Sequence, residues 1–280
     1  MNVEINEITL FYAYFLCILK SNDFKKEGNN MIRFICMAIF IVLFLICSIP
    51  LLILEWMIGH FNMDLKNRSS LSIVKWAFNV LLFMTGVKVT VLGEENVPKD
   101  EAVLYVANHR SMADIPVAYA RCPGLTGFVA KDVVNKVPAL RAWMKRLHCE
   151  FLDRDDIKQG MKVILSCIDK VKNGISIFIF PEGTRNKNKD DLTDIGEFKD
   201  GSFKIASKTG CKIIPVAITG TNRVFEDHVP FIKSADIIIE YGKPVLFSEL
   251  DKEDQKHVGA YFQNQIHEML LRHQELMNKN

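Results

Sequence analysis

The chain has 280 residues, 49% of them hydrophobic, and its 35 Lys and Arg against 33 Asp and Glu leave a net charge of +2. That length holds one domain plus an anchor, the apolar content is high for a freely soluble protein, and the near balance of charge excludes the strong basic field that grips nucleic acid. The seven cysteines show neither Cys-x-x-Cys nor Cys/His ligand spacing, so a reducing compartment with neither disulfides nor a zinc or other metal centre is expected.

The apolar excess lies toward the N-terminus. Residues 8–19 are uncharged but too few to span a bilayer, and Met31 follows a polar stretch as a second start, so residues 1–30 read as an upstream extension or a weak additional helix. A cleaved signal peptide is disfavoured, because no charged segment precedes the first run and no small-residue cleavage site follows it. Residues 34–54 carry no formal charge over 21 positions, enough at about 1.5 Å per residue to cross roughly 30 Å of hydrocarbon. Lys25, Lys26 and Arg33 precede this run, and Lys66, Arg68 and Lys75 follow it, which marks both flanks as cytoplasmic. Two arrangements stay open: a single span, or a pair of helices kinked near Pro50 that dips into one leaflet. Residues 31–85 are expected to form an apolar helical membrane anchor.

Beyond Gly86 the pattern alternates. Val87, Val89 and Val91 have strand period, and 103–107 is a second strand. Ile157, Met161, Ile164 and Ile168 predict one buried helix face, ended at Asn173-Gly174. A strand at 175–179, a short helix ending at Gly210, and strands at 213–218 and 235–241 follow. From about residue 253 to 276 a helix carries Val258, Phe262, Ile266 and Leu270 on a core-facing stripe. This alternation predicts that residues 86–280 form an α/β domain with a mixed or largely parallel sheet flanked by helices. Residues 187–191 form a charged loop, expected to be exposed.

Two segments carry chemistry. In Asn108-His109-Arg110-Ser111-Met112-Ala113-Asp114, directly after the 103–107 strand, a histidine and a carboxylate can form a general base whose tautomer the carboxylate fixes. On a regular helix the pair would sit about 140° apart, so a turn at His109 is required, with Asp114 reaching back from the first turn of a helix. A capping arrangement, with Ser111 as N-cap and Asp114 as the third helical residue, is compatible with the same pattern. In Phe180-Pro181-Glu182-Gly183-Thr184-Arg185, a strand ends in a tight turn bearing an arginine and exposed amides, which suits a phosphate or an ordinary surface turn.

Asn108-His109 with Asp114, then Phe151-Leu152-Asp153-Arg154, then Phe180 to Arg185, then Ile213-Ile214-Pro215-Val216 stand in the order and rough spacing of the four blocks of the glycerolipid acyltransferases. Over roughly residues 86–225 the chain resembles most a bacterial 1-acylglycerol-3-phosphate (lysophosphatidic acid) acyltransferase. The resemblance implies His109 as general base with Asp114 orienting it, and Arg185, Arg154, Gly183 and Thr184 as phosphate holders. Asn108, Glu182 and Pro215 enter as supporting residues: Glu182 would fix Arg185 or the turn, and Pro215 would shape a strand end lining the acyl path. It also implies a lysophospholipid acceptor, acyl-CoA or acyl-carrier protein as donor, and no cofactor. The catalytic domain would lie on the cytoplasmic side of the cell membrane, with Lys66, Arg68 and Lys75 near anionic headgroups. Glu150, in front of the second block, has no assigned role.

Other acceptors, glycerol 3-phosphate or another lysophospholipid, stay open. Two readings compete from other classes. Ser111 could be the nucleophile of an esterase-like hydrolase, although Gly-x-Ser-x-Gly is absent. A non-enzymatic module could hold phospholipid headgroups through Arg154 and Arg185, which leaves His109 and Asp114 unexplained.

Overall fold

A computed structural model describes residues 28–153, 156–188 and 191–278. The apolar run 8–19, Lys25, Lys26, Arg154, and the loop residues Lys189 and Asp190 lie outside the described residues.

Three helices come first: α1 (Gly28–Cys47), α2 (Ile49–Phe61) and α3 (Met63–Thr85). Pro50 stands in the first turn of α2, where its missing N–H costs nothing, and the break at Ser48 is the kink the proline suggests. Asn62 caps α3 by accepting from the Leu65 amide at 2.9 Å, and Gly86, at φ 71°, closes it in the left-handed conformation. α1 is long and apolar enough to cross a membrane. Ile39, Val42, Leu43 and Ile46 on α1 and Ile53 and Leu54 on α2 are exposed.

Both ends of α1 nevertheless rest on the α/β domain. Near its start the Asn30 carbonyl accepts from the Ile232 amide at 3.4 Å, and Phe34 stacks on Phe225 with ring centroids 6.1 Å apart. Near its end Phe44 stacks on Trp143, whose indole N–H donates to the Ser48 hydroxyl at 2.9 Å. α3 lies flat on the domain, with Val74 and Ala77 buried. Lys75 does not face outward as expected, because its ammonium donates to the Cys122 carbonyl at 2.9 Å.

The sheet contains β1 (Lys88–Leu92), β2 (Leu104–Ala107), β3 (Thr126–Lys131), β4 (Glu150–Leu152), β5 (Ser176–Ile179), β6 (Lys212–Thr219), β7 (Asp236–Tyr241) and β8 (Val245–Leu246). Their order is β1-β7-β6-β2-β5-β3-β4, with β8 on the free part of β6. The β6-β2-β5-β3-β4 stretch is parallel, β7 and β8 run antiparallel to β6, and β1 is parallel to β7. The sheet is therefore mixed, as the alternation predicted.

Strand alternation sends side chains to two separate cores. Tyr105, Phe128, Phe178 and Val216 pack with α3, α4 (Asp114–Arg121) and α5 (Pro138–Arg146). Leu104, Val106, Ile177 and Ala217 pack with α6 (Ile157–Lys172) and α7 (Lys204–Thr209). After the short α8 (Lys252–Lys256), α9 (Val258–Asn278) completes this second layer with the predicted stripe of Val258, Phe262, Ile266 and Leu270.

Two local readings change, those of α6 and Pro215. α6 buries Val163, Cys167 and Val171, with Ile164 and Ile168 only partly covered, while Ile157 and Met161 are 81% and 64% exposed. The short edge strand β4 ends before this start of α6, and among the described residues nothing covers Ile157 and Met161. β3 lacks alternation because Gly127 lets the backbone of His148 approach: a Cβ there would stand 2.4 Å from the His148 carbonyl oxygen. Pro215 lies in mid-strand rather than at a strand end. It falls between the β8 ladder, which stops at Ile213, and the β7 ladder, which begins at Val216, so its missing N–H leaves no antiparallel bond unmade.

Phe178, fully buried, stacks on Phe128 across the strand pair at 4.6 Å and on Tyr105 at 5.5 Å. Phe178→Ala should lower stability by about 3–5 kcal/mol, read from denaturant or thermal unfolding of the solubilised protein, because it opens a cavity in the middle of the sheet.

Candidate active site

β2 delivers Asn108 and His109 to the carboxyl edge of the sheet. The Asn108 amide donates to the Ile218 carbonyl at 2.9 Å and accepts from the Ile218 amide at 2.8 Å, continuing the β2–β6 ladder with a side chain. The chain then turns sharply. His109 Nδ1 lies 2.8 Å from Asp114 Oδ2, and that same oxygen accepts from the amides of Arg110 and Ser111, each at 2.8 Å. Asp114 Oδ1 accepts from the Thr221 hydroxyl at 2.5 Å. A fully buried carboxylate, acceptor-only when ionised, thus meets four donors.

The turn at His109 is the one the spacing required, but the cap differs. α4 starts at Asp114 with Ala113 before it, so Ser111 is not the N-cap and Asp114 is the first helical residue rather than the third. The Ser111 hydroxyl accepts from the Ala113 amide at 2.9 Å and donates to Glu226 Oε2 at 2.6 Å. It is committed to Glu226 rather than to His109, so no Ser–His nucleophile pair forms here.

The second wall is the turn after β5. Gly183 adopts φ 72°, a conformation open to glycine, and its amide donates to the Phe180 carbonyl at 3.0 Å. Phe180 stacks on the His109 ring at 4.2 Å. Glu182 fixes the turn without touching Arg185: Oε1 accepts from the His109 amide at 2.6 Å and Oε2 from the Gly196 amide at 2.8 Å. Burial pushes its carboxyl up to about 7, against the opposing pull of those two bonds and of nearby His109 and Arg110.

Arg110 is buried and binds protein rather than ligand. Its guanidinium donates to the carbonyls of Asn188, Asp191 and Asp194 at 2.6, 2.5 and 2.7 Å, while the Asn186 amide donates to the His109 carbonyl at 2.8 Å. The loop after Arg185 is thereby tied to the histidine turn. Arg185 itself is 41% exposed and pairs with Glu226 Oε1 at 3.0 Å, with Thr184 exposed beside it. Glu150, unassigned from the sequence, accepts from the Ser166 hydroxyl and pairs with Lys170.

Sequence reasoning missed Thr221 and Glu226. Thr221 follows the β6 block after Gly220, whose left-handed turn is visible only as a lone glycine. Glu226 gives no local signal, since it stands 115 residues from Ser111 and 41 from Arg185. Chemically, an Nδ1–H given to Asp114 leaves Nε2 as the basic nitrogen of His109, and Arg185 presents a guanidinium fork at the mouth of the site.

The raised carboxyl of Glu182 has a definite sign. Because the folded state holds this proton more tightly than the unfolded chain, its contribution to stability falls as pH rises from about 4.5 to about 7 and is constant above. The thermal midpoint of the wild type should therefore decline across that window relative to Glu182→Gln, which cannot titrate, and the two should run parallel at higher pH.

Known proteins resemble the chain in sequence and in fold. The family described as Acyltransferase matches residues 88–219. The 1-acyl-sn-glycerol-3-phosphate acyltransferase of Borreliella burgdorferi is 28% identical over 201 residues, 71% of this chain and 78% of that protein. A probable 1-acyl-sn-glycerol-3-phosphate acyltransferase of Mycoplasma genitalium is 29% identical over 254 residues, 82% of this chain and 91% of that protein. The chloroplastic enzyme BAT2 of Brassica napus is 31% identical over 59% of this chain, which spans 47% of its length. The crystal structure of the 1-acyl-sn-glycerophosphate acyltransferase PlsC from Thermotoga maritima shares the fold, with a TM-score of 0.75 at 22% identity over 88% of this chain and 96% of that one. By its four blocks, its α/β fold and these relatives, the chain is similar to the glycerolipid acyltransferases.

Proposed function

We infer that the protein transfers a fatty acyl group from an acyl thioester, acyl-CoA or acyl-carrier protein, to the free hydroxyl of 1-acylglycerol 3-phosphate, giving phosphatidic acid for phospholipid synthesis. The observation that carries this reading is the His109–Asp114 pair at 2.8 Å, set on a turn whose other donors hold Asp114 in place.

His109 Nε2 takes the proton of the acceptor hydroxyl as that oxygen attacks the thioester carbonyl carbon, and Asp114 stabilises the imidazolium that forms. Collapse of the tetrahedral intermediate breaks the carbon–sulfur bond, and the departing thiolate recovers the proton from His109. No acyl-enzyme is needed. Arg185 holds the acceptor's phosphate so that its hydroxyl comes within reach of His109, with Gly183 and Thr184 shaping the turn beside it. Arg154 remains a second candidate for the same work. Asn108 and Glu182 position His109 through β6 and through its own amide.

The anchor reads as lying in one leaflet. A helix of 20 residues fastened to the same domain at both ends runs along that domain, and its exposed apolar side faces the lipid. The acceptor and product are lipids, which favours a site at the membrane surface, on the cytoplasmic side that the basic flanks indicate.

His109→Ala should lower turnover roughly 10²- to 10⁴-fold with expression and membrane association retained, and Asp114→Asn should be similarly severe. Arg185→Ala should raise the acceptor KM roughly 10- to 100-fold and leave the donor KM in place. The assay is thioester-dependent acyl transfer by solubilised protein, with 1-acylglycerol 3-phosphate and glycerol 3-phosphate compared as acceptors. A His109→Ala protein with half the wild-type rate would sink the mechanism.

For the anchor, single cysteines at Asn29 and Asp64 in a cysteine-free chain should both be shielded from an impermeant reagent in intact cells. Labelling of one without the other means a single span.

A further inference from the structure

Glu226 sits where a substrate anion would be expected. Its Oε2 accepts from the Ser111 hydroxyl at 2.6 Å, and its Oε1 accepts from the Met112 amide at 2.8 Å and pairs with Arg185 Nη1 at 3.0 Å. A hydroxyl, a backbone amide and a guanidinium thus converge on one anion, brought together from positions 115, 114 and 41 residues away in the chain. All three suit phosphate oxygens as well as they suit a carboxylate.

The cradle also adjoins the base, since the Ser111 amide shares Asp114 Oδ2 with His109 Nδ1. We propose that Glu226 is an internal substitute for the acceptor's phosphate: it fills an anion cradle made by the Ser111 hydroxyl, the Met112 amide and Arg185, and the incoming phosphate displaces it. The proposal rests on the acceptor assigned above and adds two ligands and a competitor to its site.

In the exchange the Glu226 side chain rotates out of the cradle while its backbone stays. The backbone around Glu226 is braced by the Phe225–Phe34 stack, the Asn222–Asp227 side-chain bond at 2.7 Å and the Lys233 amide on the Val224 carbonyl at 3.0 Å. The Glu226 side chain is 20% exposed and Arg185 41%, so solvent reaches the ion pair and can take up the released carboxylate. Were both anions to stay, a phosphate would meet a fixed carboxylate at close range. In the exchange Arg185 trades one anion for another. Until then the pair holds Arg185 in place and keeps the Ser111 hydroxyl turned to Glu226. The cost is affinity: a cradle open about a tenth of the time binds its ligand about tenfold more weakly.

The test is Glu226→Gln, with Glu226→Ala as the second variant. At saturating donor, the acceptor KM should fall roughly tenfold in both while the donor KM stays put. In an Arg185→Ala background, Glu226→Gln should still lower the acceptor KM but by a different factor than in the wild type, since Arg185 is one of three groups that bind both anions. An acceptor KM that rises or stays level in both single variants overturns the proposal, and Glu226 then serves only to hold Arg185.

A binding readout free of turnover uses inorganic phosphate as the probe and the thermal midpoint as the signal. A larger phosphate-induced rise in the two variants than in wild type supports the cradle, and an equal or smaller rise overturns it, even where a variant has lost activity. Absence of acyl transfer by the wild type would remove the acyltransferase reading, and the phosphate titration would still decide the cradle.

Discussion

A carboxylate with no exposure to water must be satisfied by protein, and Asp114 draws its donors from both sides of the site. Three come from the turn it closes, the His109 ring and the amides of Arg110 and Ser111, and the fourth is the Thr221 hydroxyl beyond β6. The bonds that satisfy the acid also bend the chain, orient the imidazole and tie β2's exit to β6's. Removing the side chain would do more than remove the partner of His109, since it would leave two backbone amides without their acceptor.

The sheet explains why these exits meet. β2 is flanked by β5 and β6, both parallel to it, so three carboxyl ends open on one edge and contribute His109, the Glu182 turn and the Thr221 turn. Ligand sites in open α/β sheets favour this edge. Pro215 falls where the antiparallel pairing of β6 passes from β8 to β7. On the opposite side of the His109 turn, Glu182 and Arg110 grip the backbone, one through His109's amide and the other through the loop that accepts its guanidinium. The result is a histidine whose ring, amide and carbonyl all have partners.

Much of this was legible because it is local. The need for a turn between His109 and Asp114 follows from helical geometry, and the α9 stripe follows from periodicity. Arg185 could be recognised as a cation at a strand end. What it pairs with could not, because Glu226 belongs to a loop that only the β6–β7 connection brings near. The cap at Ser111 was misread because the helix starts later: the Ser111 hydroxyl accepts from the Ala113 amide, and α4 begins only at Asp114. On α6 the apolar spacing was real, yet the edge strand nearby is only Glu150–Leu152, and among the described residues Ile157 and Met161 stay uncovered. Periodicity states which residues share a face, and tertiary packing decides which of them is covered.

The fastening of α1 at both ends has a kinetic meaning. On the one-leaflet reading proposed above, a domain held at a set height against the bilayer would meet a lipid acceptor by lateral diffusion, as a two-dimensional solute, so the quantity that governs encounter would be mole fraction in the surface rather than molarity in the bulk. Diluting the acceptor with inert lipid at constant total amount then slows the reaction, whereas adding more vesicles of the same composition to enzyme already bound does not speed it.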